Sequence, residues 1–540
     1  MTAPDPAHPV SLDIAIVGAG FAGLYALHKL RKHGYRVHVF DAGDDIGGTW
    51  YWNRYPGARC DIESMQYSYS WDEQLQQDWQ WTERFATQPE ILRYIHHVAD
   101  RFDLSRDITL NTRITAAIFD EAANTWTLTT DAGVRIVAPY AIMATGVLSA
   151  PLVPNLAGLD DFKGAIYHTA NWPKDGVDFA GLRVGVFGTG SSAIQAIPEI
   201  AKQARHLHVF QRTPNFSVPA RNQPLTPDTI AQWKSNYPEL RRYAREDTGS
   251  GTIYDFPTRS AKDVDEATRN AEFEARWAKG GANFMHAYND LVIDEESNRF
   301  AADFVRRKIR ETVKDPALAD ALCPTDYPIF AKRICVDSDY YDTFNRPNVT
   351  LVNLKKTPFD RVTETGLRTS ASDIALDALV LATGFDAMTG ALTRIDIRGI
   401  GGQSLKDKWS EGPRAYLGVM SAGFPNLFMV TGPGSPSVLS NVIVSIEQHV
   451  DWITDCLLHL RSIGAQRIEP TTGVENSWVR HVNDVASATL LPKAASWYMG
   501  ANIPGKARVF MPYIGLANFR RKCNEVAANG YEGFRIGQSN

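Results

Sequence analysis

Two glycine-rich turns constrain the fold of this 540-residue chain more than any other feature of its sequence. Residues 18–23 form a G-x-G-x-x-G motif directly after the strand-like run 13–17. The run 183–187 leads in the same way into a G-x-G-x-x-A motif at 188–193. Each turn is followed by a helical pattern and a second strand, so each predicts a dinucleotide-binding βαβ unit.

The two units end in side chains of opposite charge. The second strand of the first unit ends in Asp41, whose carboxylate suits an unphosphorylated ribose and therefore FAD or NAD. The corresponding strand of the second unit leads to Arg212, a cation that suits the 2′-phosphate of NADP(H). One such motif alone would equally suit an ordinary glycine turn. Two motifs, each in its full strand-turn-helix context, favour two different nucleotides.

Composition narrows the class of protein. The length suggests about three or four domain-sized pieces, and 44% hydrophobic and 22% charged residues are typical of a soluble globular protein. The net charge of −5 argues against nucleic acid or an anionic membrane as a partner. No uncharged apolar run approaches the roughly 18 residues that a membrane span needs.

The termini and cysteines indicate the cellular setting. Residues 1–9 contain three prolines and no basic-then-apolar pattern, so they predict a disordered tail and not a signal peptide. The five cysteines are scattered without C-x-x-C spacing, which favours a reducing, cytoplasmic setting. The absence of a C-x-x-C pair also excludes the paired redox cysteines of the flavin disulfide reductases. We predict no metal site, because no metal-ligand spacing occurs.

The order of patterns predicts an α/β fold with two Rossmann-like domains. Residues 107–143 alternate like a small β-meander, and buried strands end in Ala-Thr-Gly at 144–146 and again at 382–384. These endings resemble two points where the chain crosses between domains. We therefore predict a first FAD-binding part at 1–150, an NADP-binding domain at 151–385 and a second FAD-binding part at 386–540. Charged amphipathic helices predict a helical insertion in the NADP domain at about 220–330.

Three further stretches are candidates for function. The aromatic glycine turn 46–52 suits a wall around a flat ring, although an ordinary turn with exposed tryptophans would have the same pattern. Residues 496–502 could form a mobile lid. Lys332 and Arg333 precede a strand-like run, and the residues alone leave a simple surface basic pair open.

A longer motif between the two units points to a family. The motif F-x-G-x-x-x-H-x-x-x-W-P is met by Phe162, Gly164, His168, Trp172 and Pro173. With it, the chain resembles the type I Baeyer-Villiger monooxygenases along almost its whole length. Stretches such as 53–64 and 496–506 are most similar to the phenylacetone and steroid monooxygenases of that family.

The resemblance implies roles for individual residues. It implies an FAD site made of Gly18, Gly20, Gly23, Asp41, Thr49, Trp50, Trp52, Tyr67 and Arg59. It implies an NADP site made of Gly188, Thr189, Gly190, Ser191, Ser192, Gln195, Arg212, Thr213, Lys332 and Trp497. Arg333 would be the catalytic arginine and Asp61 would orient it, whereas His168 and Trp172 would belong to an interdomain linker.

The implied reaction uses NADPH and O2 to convert ketones, such as aryl, cyclic or steroid-like ones, to esters or lactones through a C4a-peroxyflavin. We expect a cytoplasmic monomer that binds neither nucleic acid nor membranes. Two alternatives are a flavin monooxygenase that oxidises nitrogen or sulfur, and a nucleotide-binding sensor without turnover. The chain departs from the family at Phe330, where relatives often carry glycine, and at the loop 515–518, which is less glycine-rich here.

Overall fold

The computed structural model describes residues 9–537, so residues 1–8 of the predicted disordered tail lie outside the described residues. The strands are β1 Val10–Ser11, β2 Ile14–Val17, β3 Val37–Phe40, β4 Ile108–Thr109, β5 Ile114–Asp120, β6 Thr125–Thr130, β7 Arg135–Ala138, β8 Tyr140–Met143, β9 Ala165–His168, β10 Arg183–Phe187, β11 His206–Gln211, β12 Ser217–Pro219, β13 Cys335–Asp337, β14 Val349–Asn353, β15 Phe359–Thr363, β16 Gly366–Thr369, β17 Asp373–Ala375, β18 Ala378–Leu381, β19 Asp396–Arg398, β20 Leu427–Met429, β21 Arg467–Pro470 and β22 Phe534–Gly537.

The α-helices are α1 Phe21–Lys32, α2 Thr49–Trp52, α3 Glu73–Asp78, α4 Gln88–Arg101, α5 Ser191–Gln203, α6 Pro227–Ser235, α7 Tyr237–Glu246, α8 Glu266–Lys279, α9 Glu295–Thr312, α10 Pro316–Leu322, α11 Tyr340–Thr343, α12 Gly390–Thr393, α13 Leu405–Lys408, α14 Val442–Ser462, α15 Thr472–Ser487 and α16 Leu516–Ala528. None of the helices in residues 9–537 is both long enough and apolar enough to span a bilayer.

The first glycine turn lies at the edge of a fully parallel sheet. Its strand order is β20-β8-β2-β3-β4. The four residues of β2 are all buried, because Ile14 and Ile16 pack in a cluster with helices α1 and α14, and Ala15 and Val17 pack in a cluster with strands β5 to β7. The sheet therefore joins strands from the beginning of the chain to β20, which follows them by almost 300 residues.

The second glycine turn lies at the edge of another parallel sheet, with the strand order β14-β11-β10-β18-β9. Its central strand β10 feeds the turn, and α5 carries the chain across to β11. Each unit thus has the strand, turn, helix and parallel strand that the sequence predicts.

A third sheet contains the predicted meander. Strands β5, β6 and β7 pair antiparallel in sequence, and β1 and β19 extend the sheet at its two edges. The last strand of the predicted run, β8, lies instead in the first parallel sheet. Its three buried residues explain the difference, because a continuous apolar run suits the centre of a parallel sheet.

The helices α6 to α10 lie between β12 and β13, which pair with each other in parallel. These two strands form a sheet of their own, and β13 packs in the same hydrophobic cluster as the second parallel sheet, which brings the residues just before β13 close to the second unit. The mixed α/β fold with Rossmann-like units is confirmed. The segment boundaries at 150 and 385 stay predictions.

Trp172 of the long motif is 5% exposed and packs on Tyr167 and Phe179, with ring centroids 5.6 and 6.1 Å away. These residues belong to the hydrophobic cluster around the second sheet. We expect Trp172→Ala to cost about 3 to 5 kcal/mol through lost packing and the cavity left behind.

That loss should lower the Tm in thermal unfolding and slow NADPH oxidation, whereas flavin absorbance per mole of protein stays at the wild-type level because the predicted FAD residues lie around the other sheet. Trp172→Phe keeps an aromatic ring and should lose less. A wild-type Tm for Trp172→Ala would contradict this account of the motif.

Candidate functional site

The first glycine of each turn is required by local geometry. Gly18 has a φ of +108° and Gly188 a φ of +121°, a region that L side chains rarely adopt. A Cβ on either would lie 2.4 Å from a carbonyl oxygen, that of Ala144 or that of Ala382. These alanines begin the two Ala-Thr-Gly endings, so each ending packs against the turn of its own sheet.

The helices that follow the turns present free backbone donors. Gly20 is the N-cap of α1 and Gly190 that of α5, and neither helix has a side chain that caps it. The first N–H groups of a helix need a partner, and the positive end of its dipole favours an anion. A Cβ on Gly190 would meet no protein atom within 4 Å, which leaves room for a pyrophosphate to approach the backbone. Both turns therefore fit a dinucleotide.

Asp41 fits a ribose hydroxyl. Its Oδ2 accepts a hydrogen bond from the Ala19 amide at 2.6 Å and its Oδ1 one from the Gly43 amide at 2.7 Å. Burial raises the pKa of Asp41, and these two backbone donors counteract that rise. Each oxygen retains a further lone pair, so the carboxylate can still accept from a ligand.

The aromatic turn after the first unit forms a short helix, α2, which begins at Thr49. Trp50 is buried and its Nε1 donates to the Tyr67 hydroxyl at 3.1 Å, with the two rings edge to face. Trp52 packs edge to face on Tyr51 with centroids 4.7 Å apart. These contacts fix a rigid aromatic wall beside the first glycine turn.

Two cations meet at the end of the second unit. Arg212 is exposed and forms no ion pair within residues 9–537, and it lies near Lys332. The Lys332 ammonium lies 4.1 Å from the centre of the Tyr327 ring, and burial and then Arg212 lower its pKa. Thr213 accepts a hydrogen bond from the Thr189 hydroxyl through its carbonyl at 2.8 Å. Two neighbouring cations without their own carboxylates suit a dianionic phosphate.

Asp61 and Arg333, 272 residues apart, form a two-point ion pair. Nε and Nη2 of the guanidinium donate to the two carboxylate oxygens, each at 2.7 Å. Nη1 donates to the Val438 carbonyl, also at 2.7 Å. The guanidinium is therefore held on three sides, while 31% of the arginine side chain and 25% of the aspartate side chain remain exposed.

The pair shifts both pKa values in the direction of the charged forms. Burial raises the pKa of Asp61, but the charge and hydrogen bonds of Arg333 outweigh it and bring the pKa below 3.8. Burial lowers the pKa of Arg333, and Asp61 more than reverses that effect. The site thus contains a permanent cation whose position is fixed and whose charge is partly balanced.

The backbone just before Arg333 is unusual. Phe330 has a φ of +68°, in the left-handed region that glycine prefers. Its side chain is 5% exposed and packs near Phe284, with ring centroids 6.2 Å apart. The residue that differs from the family pattern therefore keeps the backbone conformation of a glycine and adds buried apolar surface.

Gln195 and Arg59 occupy a contact between the two units. Gln195 Nε2 donates to the Arg59 carbonyl at 3.1 Å, and the Tyr55 hydroxyl donates to Gln195 Oε1 at 2.9 Å. The Arg59 guanidinium lies 3.5 Å from a carboxylate oxygen of Glu83. The structure thus places Gln195, predicted to hold NADP, in a hydrogen-bonded bridge to the loop that carries Asp61.

The remaining predicted residues lie in two places. Ser191 and Ser192 begin α5, where the Ser191 hydroxyl contacts the Cys335 thiol at 3.4 Å. Trp497 is half-buried in a 3-10 turn at Trp497–Met499 and packs edge to face on Tyr498, with centroids 4.4 Å apart. Tyr498 is 2% exposed, and the Arg333 cation lowers its pKa against the larger rise caused by burial.

The sequence does not predict two residues around the arginine, Val438 and Tyr498. Val438 acts through its carbonyl, which leaves no side-chain signal. Tyr498 lies inside the predicted lid 496–502, where the family resemblance assigns a role only to Trp497. No group of three histidine, cysteine or acidic side chains that could hold a metal occurs in the described part of the chain.

Comparison with known proteins gives a consistent result. A family model described as NAD(P)-binding Rossmann-like domain matches residues 16–80. The acetone monooxygenase (methyl acetate-forming) of Gordonia sp. (strain TY-5) is 43% identical over 97% of this chain and 99% of its own length. The chain belongs to the Baeyer-Villiger monooxygenase family.

Two further similar proteins differ from each other in the kind of substrate that their names give. The solved structure of oxidized steroid monooxygenase bound to NADP is 50% identical, with a TM-score of 0.94 over 98% of this chain and all of that chain. The phenazine N-monooxygenase PhzNO1 of Lysobacter antibioticus is 43% identical over 97% of this chain and 96% of its own length. The family's cofactors are FAD and NADP.

Phe330 offers a stability test of the backbone before the arginine. Phe330→Ala and Phe330→Gly both lose the buried ring, but only alanine retains the left-handed strain of about 1 to 2 kcal/mol. We therefore expect the glycine variant to melt about 1 to 4 °C above the alanine variant in thermal unfolding. The opposite order would contradict the φ of +68°.

Arg212 offers a test of the anion site. Charge-assisted hydrogen bonds contribute about 1.5 to 3 kcal/mol each, so Arg212→Ala should weaken NADPH binding about ten- to a hundredfold and leave NADH binding unchanged. Equilibrium titration with both nucleotides measures this. Arg205→Ala, an exposed arginine just before β11, is the matched control. An unchanged NADPH-to-NADH preference in Arg212→Ala would exclude Arg212 from the site.

Proposed function

We propose that this protein uses NADPH and O2 to insert one oxygen atom next to the carbonyl carbon of a ketone, giving an ester or lactone. The observation that carries the proposal is the three-point fixation of Arg333 by Asp61 and Val438 between the two nucleotide-binding units. Family membership and the ketone-oxidising relatives support the ketone as substrate.

The cofactors supply the redox chemistry and the chain supplies position and charge. When bound, NADPH provides hydride and FAD provides the reduced ring that activates O2. The first glycine turn with Asp41 would hold FAD, and the second turn with Arg212, Thr213 and Lys332 would hold NADP. Trp50, Trp52, Tyr67 and Arg59 would surround the flavin ring.

Arg333 stabilises negative charge at the reacting atoms. Attack on a ketone carbonyl places negative charge on oxygen, and a guanidinium fixed in advance lowers the energy of that state without reorganisation. Arginine suits this task because its guanidinium stays charged where a lysine could lose its proton. Asp61 is a positioning residue, since it fixes the plane of the guanidinium through two parallel hydrogen bonds.

Trp497 and the Gln195 bridge would help to exclude water from the reaction site. Trp497 would close over the nicotinamide nucleotide, and Tyr498 beside it connects this turn to the arginine. When the NADP unit closes on the FAD unit, the hydrogen bond from Gln195 would transmit that movement to the loop that carries Asp61. Exclusion of water strengthens every charge interaction in such a site.

Oxidation of a ring nitrogen in an aromatic heterocycle is the second candidate function. The likeness to phenazine N-monooxygenase PhzNO1 favours it, at the same identity as the likeness to acetone monooxygenase. Product analysis with a ketone and with an aromatic nitrogen heterocycle as substrates separates the two reactions. NADPH consumption in air, with and without a ketone, separates both from a sensor without turnover.

We also propose that the protein works on small molecules as a cytoplasmic monomer. The five cysteines are buried and unpaired, which suits a reducing compartment. Size-exclusion chromatography with light scattering tests the monomer.

Arg333→Ala tests the proposed mechanism. Loss of one electrostatic donor typically costs about 3 to 4 kcal/mol, so ester formation should fall about 10²- to 10³-fold. The variant should still bind FAD and oxidise NADPH, with release of peroxide instead of ester. Measuring ester, peroxide and NADPH in the same reaction gives the coupling.

The matched control is Arg183→Ala, because Arg183 forms a similar two-point pair with Asp377, at 3.0 and 2.6 Å, on the rim of the second sheet. That variant should keep wild-type coupling. Substantial ester formation by Arg333→Ala, at normal FAD content, would contradict the assignment and redirect attention to Arg59.

A further inference from the structure

Two polar atoms of the segment between β12 and β13 are buried without a partner among the described residues. The Tyr254 hydroxyl and Nε2 of His286 form no hydrogen bond with any described residue, and both atoms are shielded from solvent. Their rings lie 5.3 Å apart at 35°, and Phe256 packs on the other side of His286 at 4.7 Å. As whole residues, Tyr254 and His286 are half-buried, whereas these two polar atoms are fully buried.

Hydrogen bonds connect the backbone beside Tyr254 to the segments that carry the Asp61–Arg333 ion pair. The Ile253 amide donates to Gln66 Oε1 at 2.6 Å, which fixes the residue before Tyr254 to the loop that follows Asp61. Asn441 Nδ2 donates to the Gln66 carbonyl at 2.8 Å. Asn441 follows Val438, the residue that accepts from Arg333, by three positions. The tyrosine and the arginine are therefore held by the same two segments.

The charges that act on Tyr254 also include both members of the Asp61–Arg333 ion pair. Burial raises the pKa of Tyr254 most, Glu63 and Asp61 raise it further, and the cations of Arg333 and Arg84 lower it. The phenol is therefore within range of the reactive ion pair and stays protonated, as a hydrogen-bond donor. Burial and then Arg276 lower the pKa of His286 to about 4, so at neutral pH its ring is uncharged, with one donor and one acceptor nitrogen.

The charged side chains that act on Tyr254 already form ion pairs with one another. Arg333 is bound to Asp61, and Arg84 lies 2.5 Å from Glu63. A charged ligand group here would compete with these contacts, whereas a neutral oxygen would satisfy the two free polar atoms without disturbing them. Buried polar groups in native proteins are almost always hydrogen-bonded, so a pair without partners at a reactive site indicates a ligand.

We propose that Tyr254 and His286 bind a second, uncharged oxygen of the substrate, so that this protein prefers ketones carrying a hydroxyl or further carbonyl group away from the reacting carbonyl. The inference rests on the proposed ketone oxidation and specifies its substrate class. Tyr254 and His286 are specificity-determining residues, because they would hold a part of the substrate that does not react.

A pair of matched ketones tests the proposal. 4-Hydroxycyclohexanone and 4-methylcyclohexanone differ only in the group that the pair would recognise. For the wild-type holoenzyme we expect kcat/KM for the hydroxyl compound to exceed that for the methyl compound. A site built to bind a hydroxyl discriminates strongly against analogues that lack it.

Tyr254→Phe removes only the free hydroxyl. We expect the hydroxyl-to-methyl ratio of kcat/KM to fall about tenfold in this variant, while turnover of the methyl compound is kept. His286→Phe should lower the same ratio. Tyr288→Phe is the matched control, since its hydroxyl is also buried and unpartnered but lies among Glu272, Arg259 and Arg269 of the insertion. That variant should keep the wild-type ratio.

Equilibrium binding of both ketones, measured by calorimetry, separates this inference from the proposed function. Preferential binding of the hydroxyl compound that Tyr254→Phe abolishes supports the inference even where ester is not formed, and the absence of ester from every ketone would overturn the ketone oxidation alone. An unchanged ratio, in binding and in turnover, for Tyr254→Phe with normal FAD content would overturn the inference.

Discussion

The structure depends on one ion pair that joins three distant parts of the chain. Asp61 comes from the loop after the first nucleotide unit, Arg333 from the end of the helical segment, and the Val438 carbonyl from the turn before α14. A partly buried guanidinium is stable only where its donors are matched, and removing one partner leaves an uncompensated charge. These three segments must therefore be correctly placed together before the site exists.

The two parallel sheets support this pair in equivalent ways. In each, an apolar central strand leads into a glycine whose Cβ position is closed by a carbonyl, and an uncapped helix follows. The two units differ in charge after their second strands, where one carries the carboxylate of Asp41 and the other the cations of Arg212 and Lys332. Gln195 connects the two units, because it lies on helix α5 of the second unit and donates a hydrogen bond to the loop that carries Asp61.

The sequence predicted those parts of the site whose side chains have a strong local signature. Both glycine turns, Asp41 and Arg212 are read from the ends of strands, because their position follows from the geometry of a βαβ unit. Prediction of the Asp61–Arg333 pair required the family resemblance, since no local rule joins residues 272 positions apart.

The rest could not be predicted for physical reasons. The Val438 carbonyl has no side-chain signal, and the left-handed backbone of Phe330 is held by tertiary packing against its own preference. Tyr254 and His286 look like ordinary aromatic residues of a charged helical segment. Only their three-dimensional burial without partners distinguishes them.

A double-mutant cycle between Asp61 and Arg333 tests the central claim most directly. The measured quantity is the ester formed per NADPH oxidised by Asp61→Asn, Arg333→Met and the double variant, each at normal FAD content. If the aspartate acts only by fixing the arginine, its replacement has no further effect once the arginine is gone, and the double variant matches Arg333→Met. Losses that simply add, with Asp61→Asn costing as much in the absence of Arg333 as in its presence, would contradict the account.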